Sequence, residues 1–148
     1  MSLSEQISEQ LKTAMRAKDQ ASLRALRAIK AALLILQTQE GGKEVTAQDE
    51  IAALVKMAKQ RRDSISIYRE QNREDLAKTE EEELVVIEKF LPKQLSESEI
   101  KSEVEAIISQ VGAQGMKDMG KVMGMASGKL KGKAEGKVIA DMVKQLLS

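Results

Sequence analysis

Five glycines recur at four-residue intervals near the end of this chain, Gly120, Gly124, Gly128, Gly132 and Gly136, and four of them are followed directly by lysine, at Lys121, Lys129, Lys133 and Lys137. Glycine removes side-chain bulk and lets another backbone approach closely. Lysine supplies a compact positive charge without the planar fork that reads a base edge. Side by side they suit a phosphate backbone. Lys117 and Lys131 extend the set, and the six lysines between residues 117 and 137 face only Asp118 and Glu135, which leaves the segment at +4 while the whole chain is +1. Any nucleic-acid affinity therefore has to be local. No aromatic residue lies in the segment, so stacking on single-stranded bases is not expected. The shape and backbone of a folded RNA fit better, and DNA is not expected. The candidate nucleic-acid contacts are Lys117, Lys121, Lys129, Lys131, Lys133 and Lys137, with the five glycines as positions of close backbone approach. The competing reading is structural: glycines four apart lie on one helix face and would let two helices of the protein pack tightly.

Other chemistries are weaker. Gly115-Met116-Lys117-Asp118-Met119-Gly120-Lys121 fits the first seven positions of a phosphate-binding loop, but the eighth is Val122 rather than Ser or Thr, and the motif needs a strand before it where this chain reads as an amphipathic helix. There is no cysteine and no histidine, which removes thiol chemistry, the commonest general base and the commonest transition-metal ligand. Neither a catalytic residue, a metal nor a cofactor is expected. Ser127 beside Lys129 or Lys131 is the one serine–lysine proximity worth naming. The acidic run Glu80 to Glu83 points in several directions around a helix and reads as a solvated face. Arg61, Arg62, Arg69 and Arg73 are expected to pair with nearby acids such as Asp63, Glu70 and Glu74.

These groups must be positioned by helices. The only aromatics are Tyr68 and Phe90, so the core is built from Leu, Ile, Val, Met and Ala, and no stretch alternates with the period of a strand. The expected class is all-α. Leu3, Ile7, Leu11 and Met15 step along a first helix over residues 3–18. A second runs over 20–39, with Leu23, Leu26, Ile29 or Lys30, Leu33 and Leu34 on its buried side and Gly41-Gly42 as its stop. Thr46 with Asp49 opens a third, carried to about Gln71 by Ile51, Leu54, Val55, Ala58, Ile65 and Tyr68. Asn72 caps a fourth over 73–90. Pro92, the only proline, disfavours helix at Leu91, and the domain boundary is placed there: a four-helix domain over 1–91 and a small three-helix domain over 92–148. In the latter, Ser96 and Glu99 form a capping box, Gly112 stops the helix they start, and shorter helices follow over 117–130 and 135–147. Met116, Met119, Met123, Met125 and Met142 supply adaptable apolar filling for the core or a partner. The longest apolar run, residues 31–36, is too short to span a bilayer. The first 18 residues mix charge with apolar positions, so a cytoplasmic location is expected and no membrane partner.

Taken in order, Phe90-Leu91-Pro92-Lys93-Gln94-Leu95-Ser96 with Glu99, Val111-Gly112-Ala113, Asp118-Met119-Gly120-Lys121-Val122-Met123 and Lys131-Gly132-Lys133-Ala134-Glu135-Gly136 resemble the YqeY-like proteins. Met1-Ser2-Leu3 and Asn72-Arg73-Glu74-Asp75-Leu76 look like the free-standing members. These proteins carry the GatB/YqeY domain, which is shared with the tail of the B subunit of glutamine-dependent aspartyl/glutamyl-tRNA amidotransferase. The resemblance covers essentially the whole chain and implies an all-helical, two-domain fold. In that subunit the related tail helps to hold the tRNA body, whereas amide transfer, carbon–nitrogen ligation with glutamine as donor, belongs to parts absent here. The resemblance thus implies tRNA-related binding without an active site. The alternative partner is an amidotransferase-like protein on which the Met and Gly faces dock. One departure is Glu135, where the family pattern leads one to expect Asp, a better helix cap. Oligomeric state is not readable from the sequence.

Overall fold

The structure, a computed structural model, describes residues 2–39 and 44–148. Among these residues every regular element is helical: α1 (Leu3–Ala17), α2 (Gln20–Gln39), α3 (Ala47–Glu70), α4 (Glu74–Glu88), α5 (Glu97–Val111), a 3-10 turn (Met116–Asp118), α6 (Met119–Lys129) and α7 (Gly136–Leu147). The expected Gly41-Gly42 stop lies outside the described residues.

Three helix starts close with the same device. Ser2 with Glu5, Thr46 with Asp49 and Ser96 with Glu99 each form a reciprocal capping box at the head of α1, α3 and α5. The bonds from Ser96 hold the Glu99 carboxyl below its ordinary range. The stabilisation from that cap is present above the ordinary carboxylate value and is lost as pH falls through the depressed one. Gly112 ends α5 in the left-handed region, with φ 67°. Asn72 does not cap α4: it occupies the left-handed region itself, with φ 57°, and Arg73 stands at the cap position without a side-chain cap bond. An amide side chain tolerates that conformation in a tight turn, so Asn72 serves the turn between α3 and α4.

The chain divides into two compact units, Met1–Leu91 and Pro92–Ser148. The first has its core among Ile7, Leu26, Ile29, Leu54, Ala58 and Ile87. Met15 is not part of it. It is 60% exposed, and Ala14 takes the buried position. Steps of four overshoot a 3.6-residue turn by about 40° each, so two steps from Ile7 lead out of the core and seven residues lead back into it. Leu34 is likewise 59% exposed while Leu33 is buried.

The acidic run is not a solvated face. Glu80 and Glu83 both approach Arg61, Glu81 bonds Arg69, and Glu82 reaches Arg24 on α2 at 3.2 Å. Arg62 meets Glu88 at 3.3 Å, and Arg69 also takes Glu74 at 3.3 Å. Pairs 69–81 and 62–88 run in opposite order, so α3 and α4 form an antiparallel hairpin seamed by arginines on one helix and glutamates on the other. Of the acids expected as partners, Glu74 takes that role, Asp63 pairs with Lys59, and Arg73 bonds Asp75.

The second unit packs Ile100, Val104 and Ile107 of α5, Val122 and Ala126 of α6, and Ile139, Met142 and Val143 of α7 into its own core.

Candidate nucleic-acid interface

Val122 and Ala126 face inward on α6, and each glycine of the helix sits two residues from one of them. Two residues turn a helix by about 200°, which points Gly120, Gly124 and Gly128 outward, and all three are exposed. A Cβ placed on any of them would meet nothing within 4 Å. Tight packing between helices of this unit is therefore not what these glycines do. They leave a strip of bare backbone on the outer face of α6. Glycine inside a helix costs about 1 kcal/mol relative to alanine, and nothing within the unit offsets it.

Gly132 and Gly136 behave differently. Gly132 is buried in the turn after α6 with φ 79°. Its carbonyl accepts from Gln94 Nε2 at 2.6 Å, and the neighbouring Lys133 carbonyl accepts from the Leu95 amide at 2.9 Å. This turn ties residues 94–95 to the end of α6. An L side chain in the left-handed region costs about 1–2 kcal/mol, so Gly132→Ala is expected to lower the melting temperature of the second unit, read by circular dichroism. An unchanged midpoint would show that the turn carries no such constraint. Gly136 opens α7, exposed and with no neighbour at its Cβ position.

The six lysines are all exposed. Lys129 is partly neutralised, because its Nζ lies 2.9 Å from Glu103 on α5; this also draws it toward that helix as a counter-ion, which leaves little support for a Ser127–Lys129 dyad. Among the described residues, Lys117, Lys121, Lys131, Lys133 and Lys137 form no salt bridge. The sequence offered no sign of the Glu103 pairing, since the partners lie on different helices.

Two further features bear on anions. The N-termini of α6 and α7 lack the boxes that close α1, α3 and α5: Asp118 and Glu135 stand at their cap positions without bonding the helix amides, and neither first turn holds an acid. Asp118 instead accepts from the Gln114 amide at 2.9 Å. The missing cap at Glu135 agrees with the departure noted there. Lys121 and Lys137 lie in these first turns, where the positive end of the helix dipole opposes them by about 0.3–1 kcal/mol. At α6 the preceding 3-10 turn already takes the first amide, Met119 N–H bonding the Met116 carbonyl, so it is at α7 that an external anion would satisfy both the first amides and Lys137. Sequence reasoning could have found this from the absence of a capping box before that helix.

Nothing here resembles a nucleotide-binding loop. The element before Gly115 is α5, a helix, and Gly115 leads into a 3-10 turn. Met116 and Met125 are exposed, whereas Met142 is core and Met119 and Met123 pack against it. Among the described residues no helix is long and apolar enough to cross a membrane. A family model described as Yqey-like protein matches residues 4–147. No curated protein matches the chain.

Proposed function

The chain belongs to the Yqey-like protein family, and on that premise we propose that it is a tRNA-associated binding protein without an active site of its own, acting through its C-terminal unit. The resemblance to the amidotransferase tail supplies the RNA class. The observation that carries the reading is the outer face of α6, where three exposed glycines, at which an added Cβ would meet nothing within 4 Å, run through a segment whose lysines, apart from Lys129, form no salt bridge among the described residues. A phosphate backbone can come close to bare helix backbone while the flanking ammonium groups reach its oxygens. The same reading treats residues 1–91 and 92–148 as separate domains and places the protein in the cytoplasm.

Phosphate contacts release counterions, so affinity falls steeply with salt. Filter binding with total tRNA at low salt tests this. Reversing Lys131, Lys133 and Lys137 to glutamate is expected to weaken binding by more than about tenfold and to flatten the salt slope. Equal binding by the triple variant would remove the assignment. Exposed Met116 and Met125 favour a second reading, a docking face for an amidotransferase-like protein. A complex that survives nuclease and moderate salt would select that reading over the first.

A further inference from the structure

Charge in the first unit is sorted by helix. α4 holds seven acids against Lys78, whereas α2 holds Arg24, Arg27 and Lys30 and no acid at all. Lys12 and Arg16 stand one turn apart on α1, and Lys18 ends that helix. Residues 9–30 thus hold six cations against Glu9 and Asp19, a balance of +4 that equals the lysine segment of the second unit. The two helices pack through Ile7, Ala14, Leu26 and Ile29 and are joined by Lys18 and Asp19 alone, so the cations collect along one hairpin. All six are exposed.

Ordinary structural roles account for few of them. Five of the seven arginines are held by carboxylates; among the described residues the two that form no salt bridge are Arg16 and Arg27. Arg16 suits the negative end of the α1 dipole. Arg27 lies mid-way along α2, beyond the reach of either helix end, and its neighbours one turn away are Leu23, Arg24, Lys30 and Ala31. Two of these are like charges, which weaken a helix. Only Arg24 is relieved, by Glu82 on α4. Asp19 is committed elsewhere: its carboxylate accepts from the Ser22 amide at 3.1 Å and the Ser22 hydroxyl at 2.6 Å. Repulsion left standing in the free protein is relieved when a polyanion binds. Guanidinium groups also meet phosphate oxygens bidentately, which the lysine segment cannot do. No aromatic lies on either helix, which again selects the backbone of a folded RNA over single-stranded bases. We propose that the exposed side of the α1–α2 hairpin, centred on Arg27, is a second contact surface for RNA phosphate, supplied by the first unit. This rests on RNA as the partner class proposed above but not on the C-terminal lysines.

Filter binding of the full chain to total tRNA over a salt series tests it, with Lys12→Glu and Arg27→Glu combined. The first carboxylate stands one turn from Arg16 and the second one turn from both Arg24 and Lys30, so the melting temperature is expected to hold. Affinity is expected to fall by at least about tenfold and the salt slope to flatten by about two. Reversing Lys56 and Lys78 to glutamate, exposed positions on α3 and α4, changes the net charge by the same amount and should leave binding within about twofold of wild type. If the hairpin variant melts lower, Lys12→Gln with Arg27→Gln carries the test, with an expected loss of at least about threefold. A hairpin variant that binds like the wild type overturns the proposal, and so does an equal loss on reversing Lys56 and Lys78. The variant reversed at Lys131, Lys133 and Lys137 separates the two surfaces. If it binds like the wild type while the hairpin variant does not, the assignment to the second unit falls and this one stands. If it alone loses affinity, only the hairpin surface falls. A wild-type chain that retains no tRNA removes both.

Discussion

Replacing Gly120, Gly124 and Gly128 together by alanine will stabilise the second unit by about 2 kcal/mol and weaken its proposed contact with tRNA. The three lie within α6 on its outer face, and the methyl groups introduced would meet no atom of the protein. The gain is backbone entropy: alanine gives the unfolded chain fewer conformations to lose. Gly124 is central and should contribute most, while Gly120 and Gly128 sit in the first and last turns, where the helix is less constrained. Urea or thermal denaturation reads the stability and filter binding at low salt reads the affinity. A more stable protein that binds tRNA as before would show that the glycines are not contact points. An unchanged stability would mean that α6 compensates for them in a way its neighbours do not reveal. The opposed signs matter, because a purely structural role predicts that stability and binding fall together.

How much of this was legible in the sequence differs from element to element. The capping boxes at Thr46 and Ser96 were legible, since they are written in residues three apart. So was the helical character of every described element, which follows from a chain with two aromatics and no period-two pattern. The stripe ending at Met15 misled because four-residue steps drift off the core face. Spacing placed the α6 glycines on one face without saying which. The buried pair Val122 and Ala126, two residues off the glycines, carried that answer, but only once the helix had something to pack against. The pairing of Lys129 with Glu103, and the scattering of Glu80 to Glu83 over three arginines, depend on which helices are neighbours. No local pattern encodes that.

The second large effect concerns that seam. Arg61→Ala is expected to destabilise the first unit by about 3 kcal/mol at neutral pH. Arg61 is 17% exposed, and its Nε lies 3.7 Å from Glu80 and 3.5 Å from Glu83, themselves 22% and 14% exposed. The Nε is buried and makes no hydrogen bond, so its hold on the seam is mainly electrostatic. Removing it leaves two carboxylates one helical turn apart, largely shielded from water. Burial already raises the Glu80 carboxyl above its ordinary value of 4.5, Glu83 raises it further, and Arg61 opposes both. A raised carboxyl in the folded state binds its proton more tightly there than in the unfolded chain. The cost of ionising it is fully present above the raised value and is relieved as pH falls through it. Without Arg61 that cost is larger. The deficit of the variant relative to wild type should therefore shrink on acidification from neutral pH toward the ordinary carboxylate range, as read by denaturant titration at several pH values. Adding Glu80→Gln to the variant should recover part of the loss at neutral pH by removing the like-charge contact. A deficit that does not change with pH, and that Glu80→Gln does not relieve, would instead assign the effect to lost packing of the arginine's aliphatic stem, leaving the hairpin held by shape and not by charge.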